Sequence, residues 1–196
     1  MEVHDIFSTA IGHFQLDREL TLQEKEFIAF QTKHSNAGNE TSNDYHLHKH
    51  EELKELHQFL DACVKKYVEI IYAPKPCVEV RIVQSWLNYT RPGGFHHKHV
   101  HFNSLVSGAF YIQADSQHDR ITFHKDSYQN MKLMPDKITP YNAEDIWISV
   151  GKNQLVIFPS NIFHSVSPVK ENRISLGFNA VPIGQVGVSE GISDIL

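Results

Sequence analysis

The strongest periodic signal in the chain places Leu53, Leu56, Leu60, Cys63 or Val64, Tyr67 and Ile71 three or four positions apart. Apolar residues at that spacing share one side of a helix, so the pattern predicts an amphipathic helix from Glu51 to Tyr72 packed on a sheet. Pro74 and Pro76 stop it, because proline lacks the backbone N–H that a helix needs. A shorter helix is expected from Leu22 to Thr32: Thr21 and Glu24 have capping-box spacing, and Leu22, Phe27, Ile28 and Phe30 follow at helical intervals. Weak alternation before it predicts a short strand around Ile6 to Phe14. Residues 34–50 are polar, turn-rich and without period, which reads as a surface loop carrying solvated His46, His48 and His50.

After Cys77 the period changes from helical to alternating. Val78, Val80 and Ile82 lead into a strand that runs on through Trp86 to Tyr89. Further strands are expected at Asn103 to Gln113, Ile121 to Lys125 and Arg173 to Val181, the last ended by Pro182. Ile146 to Val150 and Leu155 to Phe158, joined by Gly151-Lys152-Asn153, read as a hairpin. Residues 126–144, with Pro135 and Pro140, are irregular and long enough for a lid or substrate loop. Two helices followed by about seven short strands predict a mainly β fold, with N-terminal helices packed on one sheet of a sandwich or barrel. There are no internal repeats, and residues 1–196 read as a single domain, 1–76 supporting a β core at 77–183.

Composition adds limits. With 196 residues, 41% hydrophobic and 21% charged, the chain is ordinary for a globular protein. A net charge of -5 argues against a nucleic-acid partner, since that grip needs a basic face. No run of about 18 apolar residues predicts a membrane span. The start lacks a signal-like segment, and Cys63 and Cys77 are the only cysteines; an intracellular, cytoplasmic protein with reduced thiols is expected.

The chemistry concentrates in NYTRPGGFHHKHVHFNSLVSGAF, residues 88–110, where His96, His97, His99 and His101 fall within six positions. On a strand His99 and His101 share a face, and two imidazoles on a rigid face form half of a transition-metal site. His164, far along the chain, supplies a third nitrogen, and three ligands leave open positions for substrate and O2. His96 and His97 are then spare, supporting the ligands or facing substrate. Arg173 and Ser175 also share a strand face, and a guanidinium fork beside a hydroxyl suits a carboxylate. Tyr89 could add its phenol to the same anion.

These segments resemble the iron(II)- and 2-oxoglutarate-dependent oxygenases, more narrowly a 2OG-Fe(II) oxygenase family found in bacteria and tailed phages. The matching stretches are SWLNYTRPGG, HVHFNSLVSGAFYI, LVIFPSNIFHSV and RISLGFN, from Ser85 to Asn179 in that order. Asn88-Tyr89, Gly93-Gly94 and His99-Val100-His101 fall on the asparagine-tyrosine, Gly-Gly and His-x-Asp pattern of prolyl 4-hydroxylase-like members. The resemblance implies a double-stranded β-helix (a cupin-like jelly roll). It implies Fe(II) on His99 and His164, with His101 where the superfamily has Asp or Glu. It also implies 2-oxoglutarate held by Arg173 and Ser175, with Tyr89 as helper and Asn103 a further candidate for the shell. No catalytic residue beyond the metal centre is implied.

The activity it implies is oxidation, by default hydroxylation, of a small-molecule or peptidyl substrate with O2, releasing succinate and CO2. The resemblance also points weakly to a homodimer. Two other readings stand beside it: a three-histidine cupin-like dioxygenase that needs no 2-oxoglutarate, and a non-catalytic jelly-roll binding module whose three histidines hold a structural metal such as zinc.

Overall fold

A computed structural model describes residues 1–2, 4, 8–126, 131, 133–187, 191 and 193–195. In chain order the elements are β1 (Gly12–Gln15), α1 (Leu22–Ala29), β2 (Lys33–Asn36), β3 (Asn39–Ser42), α2 (Lys54–Ile71), β4 (Val78–Thr90), β5 (His96–His99), β6 (Val106–Gln113), β7 (Arg120–His124), β8 (Asp145–Ser149), β9 (Gln154–Pro159), β10 (Phe163–Val166), β11 (Arg173–Val186) and β12 (Ser193–Ile195). The larger sheet has the order β1-β9-β6-β11-β4-β3-β2, with β12 on β11; the smaller has the order β5-β10-β7-β8. The strands within each sheet run antiparallel, and the two sheets face each other as a jelly roll.

Each face of the larger sheet has its own core. One buries Leu87, Tyr89, Phe110, Leu155, Ile157, Leu176 and Phe178 against Leu53, Leu56, Leu60 and Val64 around the second helix. That helix takes the position its apolar stripe predicts, its first turn being the 3-10 turn Glu51–Leu53. The opposite face, toward the smaller sheet, buries Tyr111, Ile121, Phe123, Val150, Val156 and Phe158. α1 starts as expected: Thr21 accepts from the Glu24 N–H at 3.1 Å and its own N–H donates to the Glu24 carboxylate at 2.7 Å. It ends at Ala29, earlier than Thr32.

Several expectations change. Residues 34–50 are not a plain surface loop: β2 and β3 form a hairpin turned at Gly38 (φ 86), and β3 pairs with β4 through Glu40 and Thr41. Both strands are polar because they lie at a sheet edge with one strand wholly exposed, so no apolar alternation marks them. Residues 146–158 are not a hairpin. β8 pairs with β7, β9 pairs with β6 and β1, and the turn between them, with Asn153 at φ 62, carries the chain from one sheet to the other. Pro182 does not end β11; it sits opposite Val80, beyond the last pair with β6, where a missing N–H leaves no ladder bond broken.

The strand at residues 103–113 begins only at Val106, and His101 lies beyond the end of β5. Of the strand expected at Ile6 to Phe14, residues 6 and 7 lie outside the described residues, and β1 starts at Gly12. Within the expected lid, residues 127–130 and 132 are likewise outside, and 131 with 133–144 hold no helix or strand. Among the described residues no helix is long and apolar enough to cross a membrane.

Phe178 lies directly across from Gly108, and a Cβ on that glycine would stand 2.6 Å from the ring's Cε1. Gly108→Ala is therefore expected to lower stability by about 1–3 kcal/mol through overpacking. Urea denaturation measures it; an unchanged midpoint would mean that the ring has room to yield.

Candidate metal centre

The smaller sheet begins with β5 and β10, whose register places His99 directly opposite His164. Two steps further, Val166 faces His96, so β5 carries one extra residue and bulges between the pairs. The bulge lets His96 turn to the same side as His99, on which it stacks at 4.4 Å. His101 follows after two residues and reaches the same place from the loop. Its ring stacks on His164 with centroids 5.1 Å apart and planes 14° off parallel. One candidate ligand nitrogen from each of His99, His101 and His164 lies within 4.8 Å of the other two.

The nitrogens are presented in a form that suits a metal. The His99 Nδ1 contacts the His97 carbonyl at 2.8 Å, and the His164 Nδ1 contacts the Ile162 carbonyl at 3.1 Å. A carbonyl only accepts, so each Nδ1 carries the proton and each Nε2 keeps its lone pair. The His101 and His164 Nε2 atoms are 3.3 Å apart. Two imidazoles on one metal at ~2.1 Å stand roughly 3.0 Å apart at a right angle and roughly 3.4 Å at a tetrahedral one. Burial is the main force holding these rings neutral. It drives His164 well below its usual value, helped by His99 and His101; it pushes His101 down to about 4 and lowers His99. Neutral imidazole is the ligating form.

A second feature lies on the inner face of the larger sheet. Arg173, at the start of β11, is 3% exposed, yet it forms no ion pair among the described residues. Its Nη1 donates to the Arg120 carbonyl at 3.1 Å, and its guanidinium lies 4.8 Å from the centre of the Tyr111 ring. Ser175 is buried two residues on and is paired with Tyr111 on β6 and Asn88 on β4. Among the described residues the buried Tyr111 hydroxyl has no well-aligned hydrogen bond, and the charge beside it is the Arg173 guanidinium. A buried cation beside a buried phenol and a buried serine has the chemistry to hold an anion with several acceptor oxygens.

Not every expected residue joins this group. Tyr89 pairs with Ile174 rather than Ser175, so it faces the helices; its hydroxyl donates to the Ile28 carbonyl at 2.6 Å. The reason is a bulge between Ile82 and Gln84, which shifts the alternation of β4 by one residue. Tyr111 stands where Tyr89 was expected, and only the register of β6 against β11 reveals it. Asn103 is exposed on the turn after His101 at φ 60, a left-handed position that asparagine tolerates, and it contributes no contact to the group. His97 is exposed. His48 is not a solvated loop histidine: it packs on Ser85, with Nδ1 3.0 Å from the hydroxyl, and burial pushes it down to about 4. His50 contacts Asp44 at 2.6 Å.

A jelly roll with three converging histidines and a buried anion socket defines a class of metal-dependent oxygenase fold. Residues 84–179 match the family described as "Putative 2OG-Fe(II) oxygenase", and over that stretch the chain is similar to its members. A comparison with curated proteins gave no match. Among solved structures, a prolyl hydroxylase from Trichoplax adhaerens, in complex with a hypoxia inducible factor peptide fragment, is similar at TM-score 0.62 and 11% identity, covering 89% of this chain and 84% of that one. A prolyl-4-hydroxylase from Pseudomonas putida is similar at TM-score 0.57 and 12% identity over 89% and 94%. HygX from Streptomyces hygroscopicus, with nickel and 2-oxoglutarate bound, is similar at TM-score 0.56 and 10% identity over 88% and 83%.

The depressed histidines set a pH dependence for the metal-free protein. Between the ordinary imidazole value of 6.5 and the folded value of about 4 for His101, the unfolded chain holds the proton and the folded chain does not. Their contribution to stability is therefore complete above pH 6.5 and lost as pH falls through that window. The urea midpoint is expected to drop between pH 7 and pH 5, and to drop less in His101→Asn. An equal drop in both proteins would remove His101 as a cause.

Proposed function

We propose that this chain is an Fe(II)- and 2-oxoglutarate-dependent oxygenase that hydroxylates a C–H bond of a small-molecule or peptidyl substrate. In this reading His99, His101 and His164 hold the iron, and residues 1–76 support the jelly roll at 77–183 as one oxygenase unit. Arg173, Ser175 and Tyr111 hold the distal carboxylate of 2-oxoglutarate. With the cofactor pair bound, O2 supplies an oxidant for the substrate, and succinate and CO2 leave. The chain's own residues bind and orient these groups and keep water out; Phe158, with its ring 4.6 Å from that of His164, is part of the dry wall.

The observation that carries the proposal is the buried guanidinium of Arg173, without an ion pair among the described residues, beside the buried Tyr111 hydroxyl. A three-histidine dioxygenase working without 2-oxoglutarate shares the triad but gives that socket no task. The family match over residues 84–179 and the HygX neighbour with 2-oxoglutarate bound support the same cofactor pair.

The test is an anaerobic titration with Fe(II) and then 2-oxoglutarate, followed by visible absorption. A weak charge-transfer band is expected only with both, and it disappears in His164→Ala and Arg173→Ala. Tyr111→Phe is expected to weaken 2-oxoglutarate about 10-fold, the size of one hydrogen bond to a charged group, while Tyr89→Phe leaves it unchanged. Iron binding with no band would turn the assignment to the three-histidine dioxygenase, and no iron binding would leave a binding module.

A further inference from the structure

Two of the three histidines depend on one short turn. Ser160 follows β9, and its carbonyl accepts the His101 backbone N–H at 2.9 Å. Two residues later the Ile162 carbonyl takes the His164 Nδ1 at 3.1 Å. His101 needs such a hold more than its partners do, because it lies beyond the end of β5 and has no strand ladder of its own. Whatever fixes residues 160–162 therefore sets the distance between the His101 and His164 rings.

A line of side chains does so, and its proton directions follow from the end groups. The Ser107 hydroxyl donates to the Asn179 Oδ1 at 2.8 Å, since that oxygen only accepts. Ser107 has then used its one proton, so in the 2.8 Å contact between Ser107 and Ser160 it is Ser160 that donates. Ser160 in turn accepts from Ser104 at 2.8 Å, and the Asn179 Nδ2 donates to the Gln84 Oε1 at 2.9 Å. The chain runs one way, from Ser104 through Ser160, Ser107 and Asn179 to Gln84. It ties the turn to β6, β11 and β4, and all three central members are buried. Aligned hydrogen bonds of this kind reinforce one another.

We propose that Ser107, acting through Ser160 and Asn179, is a positioning residue for the metal site, holding the turn that sets His101 against His164. This rests on the assignment of those histidines as ligands. Removing the Ser107 hydroxyl leaves the Ser160 proton and the Asn179 oxygen buried without partners, and frees the turn to shift.

The probe is Co(II) added to the full chain, its affinity read by competition with a coloured chelator and its geometry by visible absorption. Wild type is expected to bind one Co(II), and His164→Ala to lose it. Ser107→Ala is expected to bind about 10- to 100-fold more weakly, the range for residues that orient ligands, with an altered spectrum and a still-cooperative thermal transition. Should Ser107→Ala fail to fold, Ser104→Ala, at the half-buried end of the chain, gives a smaller loss in the same direction. Wild-type affinity and spectrum in the folded serine variants overturn the proposal. Absence of Co(II) binding by wild type, or binding unchanged by His164→Ala, overturns instead the metal assignment beneath it.

Discussion

The antiparallel pairing of β5 with β10 is the constraint on which the site depends. It joins segments 65 residues apart in the chain and puts His99 across from His164. The cross-strand pair gives two imidazoles on a rigid backbone, and the two carbonyls at His97 and Ile162 fix their tautomers. β7 then pairs with the other side of β10, carrying Phe123 inward opposite His164 and closing the apolar wall. The larger sheet, stiffened by the second helix on its far face, serves the smaller one as a backing plate. Helix and site are therefore linked through the sheet rather than by contact.

Charge explains why the two halves of the site belong together. Three neutral imidazoles would bring no negative charge to a divalent metal, and Arg173 adds a buried positive charge without a carboxylate partner among the described residues. Such an arrangement is costly by itself, because a buried guanidinium gives up water for one carbonyl contact and a ring. A dianion bound by both the guanidinium and a metal on the histidines, as proposed above, would offset both excesses at once. A carboxylate ligand at position 101 would have neutralised part of the metal, so the His-x-His arrangement increases the need for the anion.

The sequence made some of this legible and concealed the rest for identifiable reasons. The 3-4 spacing of α2, the capping box at Thr21 and the His99, His101 and His164 group were readable because each depends on local spacing or on a rare residue type. The edge hairpin at residues 33–42 was not, because its outer strand is wholly exposed and the buried positions of the inner one are the polar Thr41 and Ser42, which leaves no apolar alternation to read. The crossing between β8 and β9 looked like a hairpin because a short Gly-Lys-Asn turn signals a reversal but not the sheet that each arm joins. Tyr89 and Tyr111 illustrate the deepest limit. Both are strand tyrosines, and a one-residue bulge between Ile82 and Gln84 puts the first toward the helices, while the register of β6 puts the second beside Arg173.

That limit bears on how the site is supported. His99 and His164 are held by a ladder, whose geometry many sequences satisfy, whereas His101 is held by a loop contact to the Ser160 carbonyl. A ligand on a loop is as well placed as the turn that receives it. The buried hydroxyl chain from Ser104 to Gln84, together with the Ser160 N–H donated to the Leu105 carbonyl, ties that turn to the larger sheet. It occupies inner-face positions that apolar side chains could fill, in a region where an incompletely satisfied network would be worse than none. Such a network is what a site with one off-strand ligand, as proposed for His101, would require.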